Sequence, residues 1–283
     1  MKTKIDTVKT LLEALPFIKE FSNEIVVIKY GGAAQTSETL KAKFAKDVLL
    51  MYLVGIRPVI VHGGGPRINE MLSKLDIPTE FIDGQRVTTP EVMRIVEMVL
   101  CGDVNNEIVA LLNSHGARAF GVNGKDAQFV TAKPKDEGRW GLTGIIDNVK
   151  ADVIHRLLDE KFIPVIAPIA SDTQTGHPGY NINADLAASK IAGAIGAKKV
   201  VFMTDTPGVL GADGKLISSL TEAQIEALKA DKTIHGGMVP KVDACIEAIE
   251  RGVQKAHIID GRIEHAILLE LFTSEGIGTQ ITL

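Results

Sequence analysis

The most restrictive feature of the chain is a set of short, unbroken apolar runs, at residues 25–28, 58–61, 162–167 and 200–203. A strand with one wet face alternates apolar and polar residues. These do not, so each reads as a strand covered on both faces. Between and after them the apolar spacing switches to the helical period, as at Leu40, Phe44, Val48 and Met51, or at Met238, Val242, Cys245 and Ile249. Strands covered by intervening helices form a parallel sheet. The chain therefore reads as α/β, a three-layer α/β/α sandwich with a mostly parallel central sheet. No Ser-, Pro- or Gly-rich linker divides it, so residues 1–283 read as one domain. Its two lobes, 23–180 and 181–283, would meet at the carboxyl edge of the sheet. An amphipathic helix over residues 6–21, within the segment 1–22, precedes the first strand, and Pro16 is expected to kink or end it. A helix after Thr89-Pro90 and a separate one near residues 105–115 are expected, then hairpins at one edge over residues 117–150.

Composition narrows the class. The net charge is −4, whereas a nucleic-acid binder shows a basic excess. No apolar run approaches the ~20 residues that cross a bilayer, so no membrane partner is expected. The charged first twenty residues are unlike a secretory signal, which leaves a cytoplasmic protein. Cys101 and Cys245 have no partner at short spacing and read as buried thiols in a reducing compartment. No Cys/His cluster points to a metal site.

Two strands run straight into glycines. Lys29-Tyr30-Gly31-Gly32 follows the first, and His62-Gly63-Gly64-Gly65-Pro66 follows the second and leads directly into a helix. In an open α/β sheet ligands bind at this carboxyl edge. Bare glycine amides at a helix N-terminus suit an anion, and Lys29 adds a compensating charge. Each loop alone is equally an ordinary turn.

Further along, Gly84-Gln85-Arg86-Val87-Thr88 offers a guanidinium that could bind a carboxylate bidentately, although a lone arginine near a glycine is more often a solvated surface residue. In Asn181-Ile182-Asn183-Ala184-Asp185, Asn183 suits an N-cap and Asp185 the first turn of a helix. Gly236-Gly237-Met238-Val239-Pro240-Lys241 opens another helix, with Lys241 in its first turn. A cation there opposes the helix dipole, so a bound anion would explain what local structure does not.

No G-x-x-x-x-G-K-[ST] is present, no strand is followed by G-x-G-x-x-G, and no G-x-S-x-G elbow occurs. Two glycine cradles, each with a lysine, together with an aspartate, suit phosphoryl transfer. That chemistry needs positioning and spread positive charge more than a covalent nucleophile.

Taken in order, the Lys29 loop, the His62–Pro66 loop, the Asn181–Asp185 segment and the Gly236–Lys241 segment resemble the motifs of the amino acid kinase family, over essentially the whole chain. Residues 84–88 are similar to the acyl-amino-acid segment of its members that act on N-acylated glutamate. The resemblance implies ATP-dependent phosphorylation of the side-chain carboxylate of N-acetyl-L-glutamate, the second step of arginine biosynthesis, with Mg²⁺ carried by the nucleotide. On that basis Lys29 and Lys241 stabilise the migrating phosphoryl group, and Asp185 orients both. Gly64, Gly65, Arg86 and Asn181 hold the acceptor in the first lobe. Gly31, Gly32, Thr204, Asp205, Gly208, Lys215 and Met238 serve the nucleotide, which belongs to the second lobe. Thr206-Pro207 and His235 depart from the family's usual residues on the ATP side.

The first helix and the tail around Gly276-Ile277-Gly278-Thr279 resemble the arginine-inhibited branch of the family. There the N-terminal helices interlace into a homohexamer, a trimer of dimers. L-Arginine would be the inhibitor, bound by Phe17, Lys199, Glu270 and Gly276, with Phe17 standing where some relatives have tyrosine. Two other outcomes stay open: a kinase for carrier-protein-linked aminoadipate or glutamate in lysine synthesis, and a non-catalytic arginine or nucleotide sensor.

Overall fold

Strand Ile25–Tyr30 lies inside an eight-stranded sheet in a computed structural model that describes residues 2–82 and 84–282. Arg57–His62 pairs with it in parallel on one side and Lys199–Thr204 on the other. Beyond Arg57–His62 come Ile163–Ala167 and Ala119–Asn123, both parallel. Beyond Lys199–Thr204 come Lys255–Asp260, parallel, then Thr279–Thr282, antiparallel, with Ser219–Thr221 at the edge. The two halves of the chain thus diverge from the central strand. This makes its carboxyl end a topological switch point, where open sheets leave a crevice for ligands.

Alternation along that strand divides its side chains between two cores. Ile25 and Val27 pack with Ala187, Ala188 and Val242; Val26, Ile28 and Tyr30 pack with Phe44, Val48 and Met51. Each fully buried Val or Ile contributes about 1.5–3 kcal/mol. Lys29 is in phase with Ile25 and Val27, so it faces helices Ala184–Ala194 and Val239–Glu250. Those helices are in contact, and Ala188, Ala192, Ala244 and Ala248, small residues that permit a close approach, are fully buried in the core they share. Ser189 Oγ donates across it to the Ala244 carbonyl.

Three expectations are corrected. Helix Lys2–Phe21 does not end at Pro16. The hydrogen bond that proline forfeits is to the Leu12 carbonyl, and Leu12 is 59% exposed, so water can take that acceptor. Residues 117–150 are not simply edge hairpins. Ala119–Asn123 is the outermost parallel strand of the main sheet, whereas Val130–Pro134 and Thr143–Val149 pair antiparallel in a separate four-stranded sheet. Gly121 had disguised that strand; a Cβ there would meet Asn105 Oδ1 at 2.1 Å, so an incoming side chain takes the room a strand residue would fill. Finally, Pro90–Glu97 and Asn105–Ser114 are one continuous rod, joined through the π-helical turns Met98–Val104.

Candidate active site

Three charged side chains converge beyond the end of the central strand. Asn183 caps helix Ala184–Ala194, its Oδ1 accepting the N–H groups of Asp185 and Leu186 at 2.9 and 3.1 Å. This fixes Asp185 in the first turn, buried. Lys29 Nζ lies 3.1 Å from Asp185 Oδ1, and Lys241 Nζ donates to Oδ2 at 2.8 Å. Asp185 Oδ1 has no hydrogen-bond partner apart from this ion pair. Burial would raise the Asp185 pKa, but the two ammonium groups outweigh it and hold the carboxyl below the usual range. The cation that opposes the dipole of helix Val239–Glu250 is thus held by a carboxylate from the neighbouring helix. One carboxylate anchors two lysines, one from the central strand and one from helix Val239–Glu250.

Next to Asp185, a cavity of ≈ 200 Å³ is lined by Gly64, Gly65, Arg86 and Asn181, together with Ile68, Phe81, Leu100, Asn183 and Ala184. Arg86 projects from the hairpin Glu80–Ile82 and Gln85–Val87, over the Phe81 ring at 4.7 Å. It donates to Thr79 Oγ1 and Asn69 Oδ1, each at 2.6 Å. Among the described residues these partners are neutral, so the buried guanidinium keeps a charge that a carboxylate ligand would compensate. Burial lowers its pKa from the usual arginine value. Asn181 Nδ2 donates to Thr88 Oγ1 at 3.1 Å, Thr88 Oγ1 lies 2.8 Å from Thr143 Oγ1, and Thr143 donates to the Arg86 carbonyl at 2.6 Å. Thr143 escaped the sequence reading, and Thr88 was read only as the end of the segment 84–88, with no role of its own. They hold Arg86 and Asn181 in register, yet they lie far apart in the chain.

On the Lys241 side, a cavity of ≈ 490 Å³ is lined by Thr204, Gly208 and Met238, with Thr206, His235, Gly236 and Gly237. Gly236 has φ +57°, and a Cβ at Gly236 or Gly237 would meet nothing within 4 Å, so the cradle backbone is bare. Among the described residues, the buried Thr206 Oγ1 has no hydrogen-bond partner. The other nucleotide candidates lie elsewhere. Asp205 accepts the Ala33 N–H at 2.6 Å and packs on Gly32, which with Asp205 lines a neighbouring cavity of ≈ 270 Å³. A Cβ at Gly31 would come within 2.8 Å of Lys29 Nζ. The Lys215 side chain is 84% exposed beside Asp213.

A further cavity of ≈ 150 Å³ is lined by Phe17, Lys199, Glu270 and Gly276, and also by His257. Lys199 Nζ donates to Glu270 Oε1 at 2.6 Å, His257 Nε2 lies 2.9 Å from that oxygen, and Ile277 N–H donates to Oε2 at 2.9 Å. Burial would raise the Glu270 pKa, but His257 and Lys199 outweigh it and hold it below the usual range. His257 was not singled out from sequence, where it is only one residue of a buried strand. Among the described residues no group of three or more His, Cys, Asp or Glu is placed to hold a metal.

A sequence model of the amino acid kinase family matches residues 24–260, from the start of the central strand to the end of Lys255–Asp260. The chain belongs to the amino acid kinase family. Within the family it is 70% identical to the acetylglutamate kinase of Sulfurimonas denitrificans over 100% of both chains. It is 69% identical to the acetylglutamate kinase of Nitratiruptor sp. over 99% of each. Among solved structures it resembles the N-acetylglutamate synthase of Neisseria gonorrhoeae complexed with coenzyme A and N-acetyl-glutamate, with a TM-score of 0.86 at 25% identity. That match covers 98% of this chain but 63% of the synthase. Carbamate kinase of Giardia lamblia bound to AMP-PNP shares the fold, with a TM-score of 0.71 at 18% identity over 92% of this chain and 98% of that one.

Proposed function

We propose that this chain transfers the γ-phosphoryl group of MgATP to the side-chain carboxylate of N-acetyl-L-glutamate, giving N-acetyl-L-glutamyl 5-phosphate and ADP in arginine biosynthesis. The observation that carries the mechanism is the Lys29–Asp185–Lys241 arrangement, with Lys241 lining one cavity and Asp185 directly following Asn183 and Ala184, which line the other. The full-length identity to acetylglutamate kinases supports the choice of substrate.

In this mechanism Arg86 and Asn181 hold the α-carboxylate, and the Gly64 and Gly65 amides and Lys29 meet the reacting carboxylate. Being ionised already, that carboxylate needs no general base. Its oxygen forms a bond to the γ-phosphorus while the bond from phosphorus to the β,γ-bridging oxygen breaks, and the electron pair leaves on ADP. Lys29 stabilises charge on the entering side and Lys241 on the leaving side, with Asp185 fixing both. The bare Gly236–Gly237 backbone and the unpartnered Thr206 hydroxyl suit the nucleotide's phosphates and polar groups. Mg²⁺, held mainly by those phosphates, would neutralise part of their charge.

The reading extends to regulation and assembly. Lys199 and Glu270 give the smaller cavity the opposite charges that arginine's carboxylate and guanidinium require. Ile5, Val8, Leu11, Leu12 and Leu15 of helix Lys2–Phe21 are 45–66% exposed, a surface suited to interlacing with the same helix of other copies in a hexamer. No described helix is long and apolar enough to cross a membrane; with ATP and a biosynthetic acceptor as substrates, the cytoplasm is the proposed location. The test is ADP release from MgATP and N-acetylglutamate, with and without arginine, alongside light scattering for mass. Turnover suppressed by arginine in a hexamer is expected. No turnover with N-acetylglutamate overturns the substrate and brings forward the carrier-protein-linked acceptor.

A further inference from the structure

Behind the acceptor loop lies a polar group that the mechanism does not use. His62 is fully buried at the end of its strand, next to Gly63, Gly64 and Gly65. Its Nδ1 lies 2.9 Å from the Gly63 carbonyl oxygen, and its Nε2 lies 3.0 Å from Asn105 Nδ2. Asn105 Nδ2 also donates to the Val165 carbonyl at 2.9 Å. A backbone carbonyl can only accept, so this contact fixes which end of the Asn105 amide faces His62. The second N–H of that amide then points at Nε2, which must accept. The proton of the neutral ring therefore sits on Nδ1 and is donated to Gly63. Burial pushes the His62 pKa down to about 4, so the ring stays neutral at working pH.

The Gly63 carbonyl and the Gly64 N–H belong to one trans peptide and point in opposite directions. Anchoring the carbonyl therefore aims the N–H. Among the described residues no acceptor is paired with the Gly64 N–H, and Gly64 lines the acceptor cavity. Gln35 Nε2 adds a weaker donation to the same carbonyl at 3.3 Å. Two oddities of the fold also serve this contact. Asn105 is the first residue after the π-helical turns Met98–Val104, whose extra residue per turn resets its direction. Gly121 leaves room for the Asn105 side chain on the facing strand.

We propose that His62 is a positioning residue, held by Asn105 in the Nδ1–H tautomer, which locks the Gly63–Gly64 peptide so that the Gly64 N–H is presented to the reacting carboxylate. This rests on the acceptor role of that loop given above.

His62→Asn places an amide N–H where Nδ1–H stands, whereas His62→Gln reaches only the Nε2 position, and both remove the ring. Steady-state ADP release, normalised to folded protein, separates them. Losing one preorganised donor costs about 10²- to 10³-fold in rate; with Gln35 still in place, His62→Gln should lose roughly 10- to 100-fold in kcat, with KM for MgATP little changed. His62→Asn should stay within about fivefold of the parent rate. Equal losses in the two variants, or the reverse order, overturn the proposal. Should either variant not fold, ¹⁵N-histidine NMR of the parent protein decides. A protonated Nδ1 with bare Nε2 between about pH 8 and pH 5 supports the inference, and a protonated Nε2 overturns it. Failure of the parent protein to turn over N-acetylglutamate would strike the proposed function instead, and the tautomer would still be readable.

Discussion

Asp185→Asn isolates the charge that joins Lys29 and Lys241, because the amide nearly matches the carboxylate in shape. At an effective dielectric near 20, each ion pair of Asp185, at 3.1 and 2.8 Å, has a Coulomb energy of about 5–6 kcal/mol. The desolvation of a carboxylate that is only 6% exposed, several kcal/mol, opposes this. A net stability loss of about 2–4 kcal/mol is expected, with two unneutralised ammonium groups left facing one cleft. The effect on rate should be larger than this suggests. Both lysines lose their common anchor, so kcat should fall about 10²- to 10³-fold. Stability also carries a pH signature. The folded-state pKa of Asp185 is depressed, so its contribution is full above the unfolded carboxylate value near 3.9 and is lost as pH falls through the folded value. Urea unfolding of the parent and Asp185→Asn proteins should therefore show a gap at pH 7 that narrows below about pH 4. A kcat within threefold of the parent, or a gap that is unchanged down to pH 3, would refute the reasoning.

Four further outcomes are expected. Thr206→Val removes a buried hydroxyl that has no partner among the described residues; if it serves the nucleotide, KM for ATP rises roughly 5- to 10-fold, whereas unchanged KM with a gain of about 1 kcal/mol in stability counts against that role. Gly64→Ala places a methyl 2.5 Å from Leu100 Cδ2, and Leu100 is itself buried against the same loop; about 1–3 kcal/mol of stability should be lost and KM for N-acetylglutamate should rise more than KM for ATP. Glu270→Gln leaves Lys199 and His257 without their shared carboxylate, and the arginine concentration that halves each protein's own uninhibited rate should rise at least about tenfold. Asp47 is pushed up to about 6 by burial despite its contact with His265. A carboxyl with a raised folded pKa lowers stability as pH climbs from the unfolded value through about 6, so Asp47→Asn should stabilise by about 2–3 kcal/mol at pH 8 in thermal or urea unfolding, and by little at pH 4.

The parts of this fold that were legible in the sequence are those set by local covering. Residues 25–28 announce a strand buried on both faces because no position in the run is polar, and Lys29 inherits its direction from their alternation. Lys241 was legible for the opposite reason. A cation in a first helical turn contradicts its own helix, and the structure answers the contradiction with Asp185 at 2.8 Å. Gly236 and Gly237 likewise read as a bare cradle, since they open a helix without offering a cap.

What was not legible depends on packing between distant segments. Residues 98–104 have the composition of an ordinary helix, and one additional residue per turn shifts phase without altering the apolar count. Only the neighbours reveal the shift, because it brings Asn105 within reach of both His62 and Val165. Thr88, Thr143 and Asn181 come from three segments with no shared spacing, yet their hydroxyl and amide groups form one chain that ends on the Arg86 carbonyl. The same division runs through the site itself. Groups that would touch substrates occupy strand ends and helix starts, where glycine and charge stand out against an apolar background. Groups such as Thr143 and Asn105, which hold them in place, are buried polar residues satisfied by partners that sequence spacing does not name. Losing one of the former should change binding or rate directly. Losing one of the latter should loosen the geometry of another residue, and a split between kcat and KM, not a fall in stability alone, is the measurable difference between them.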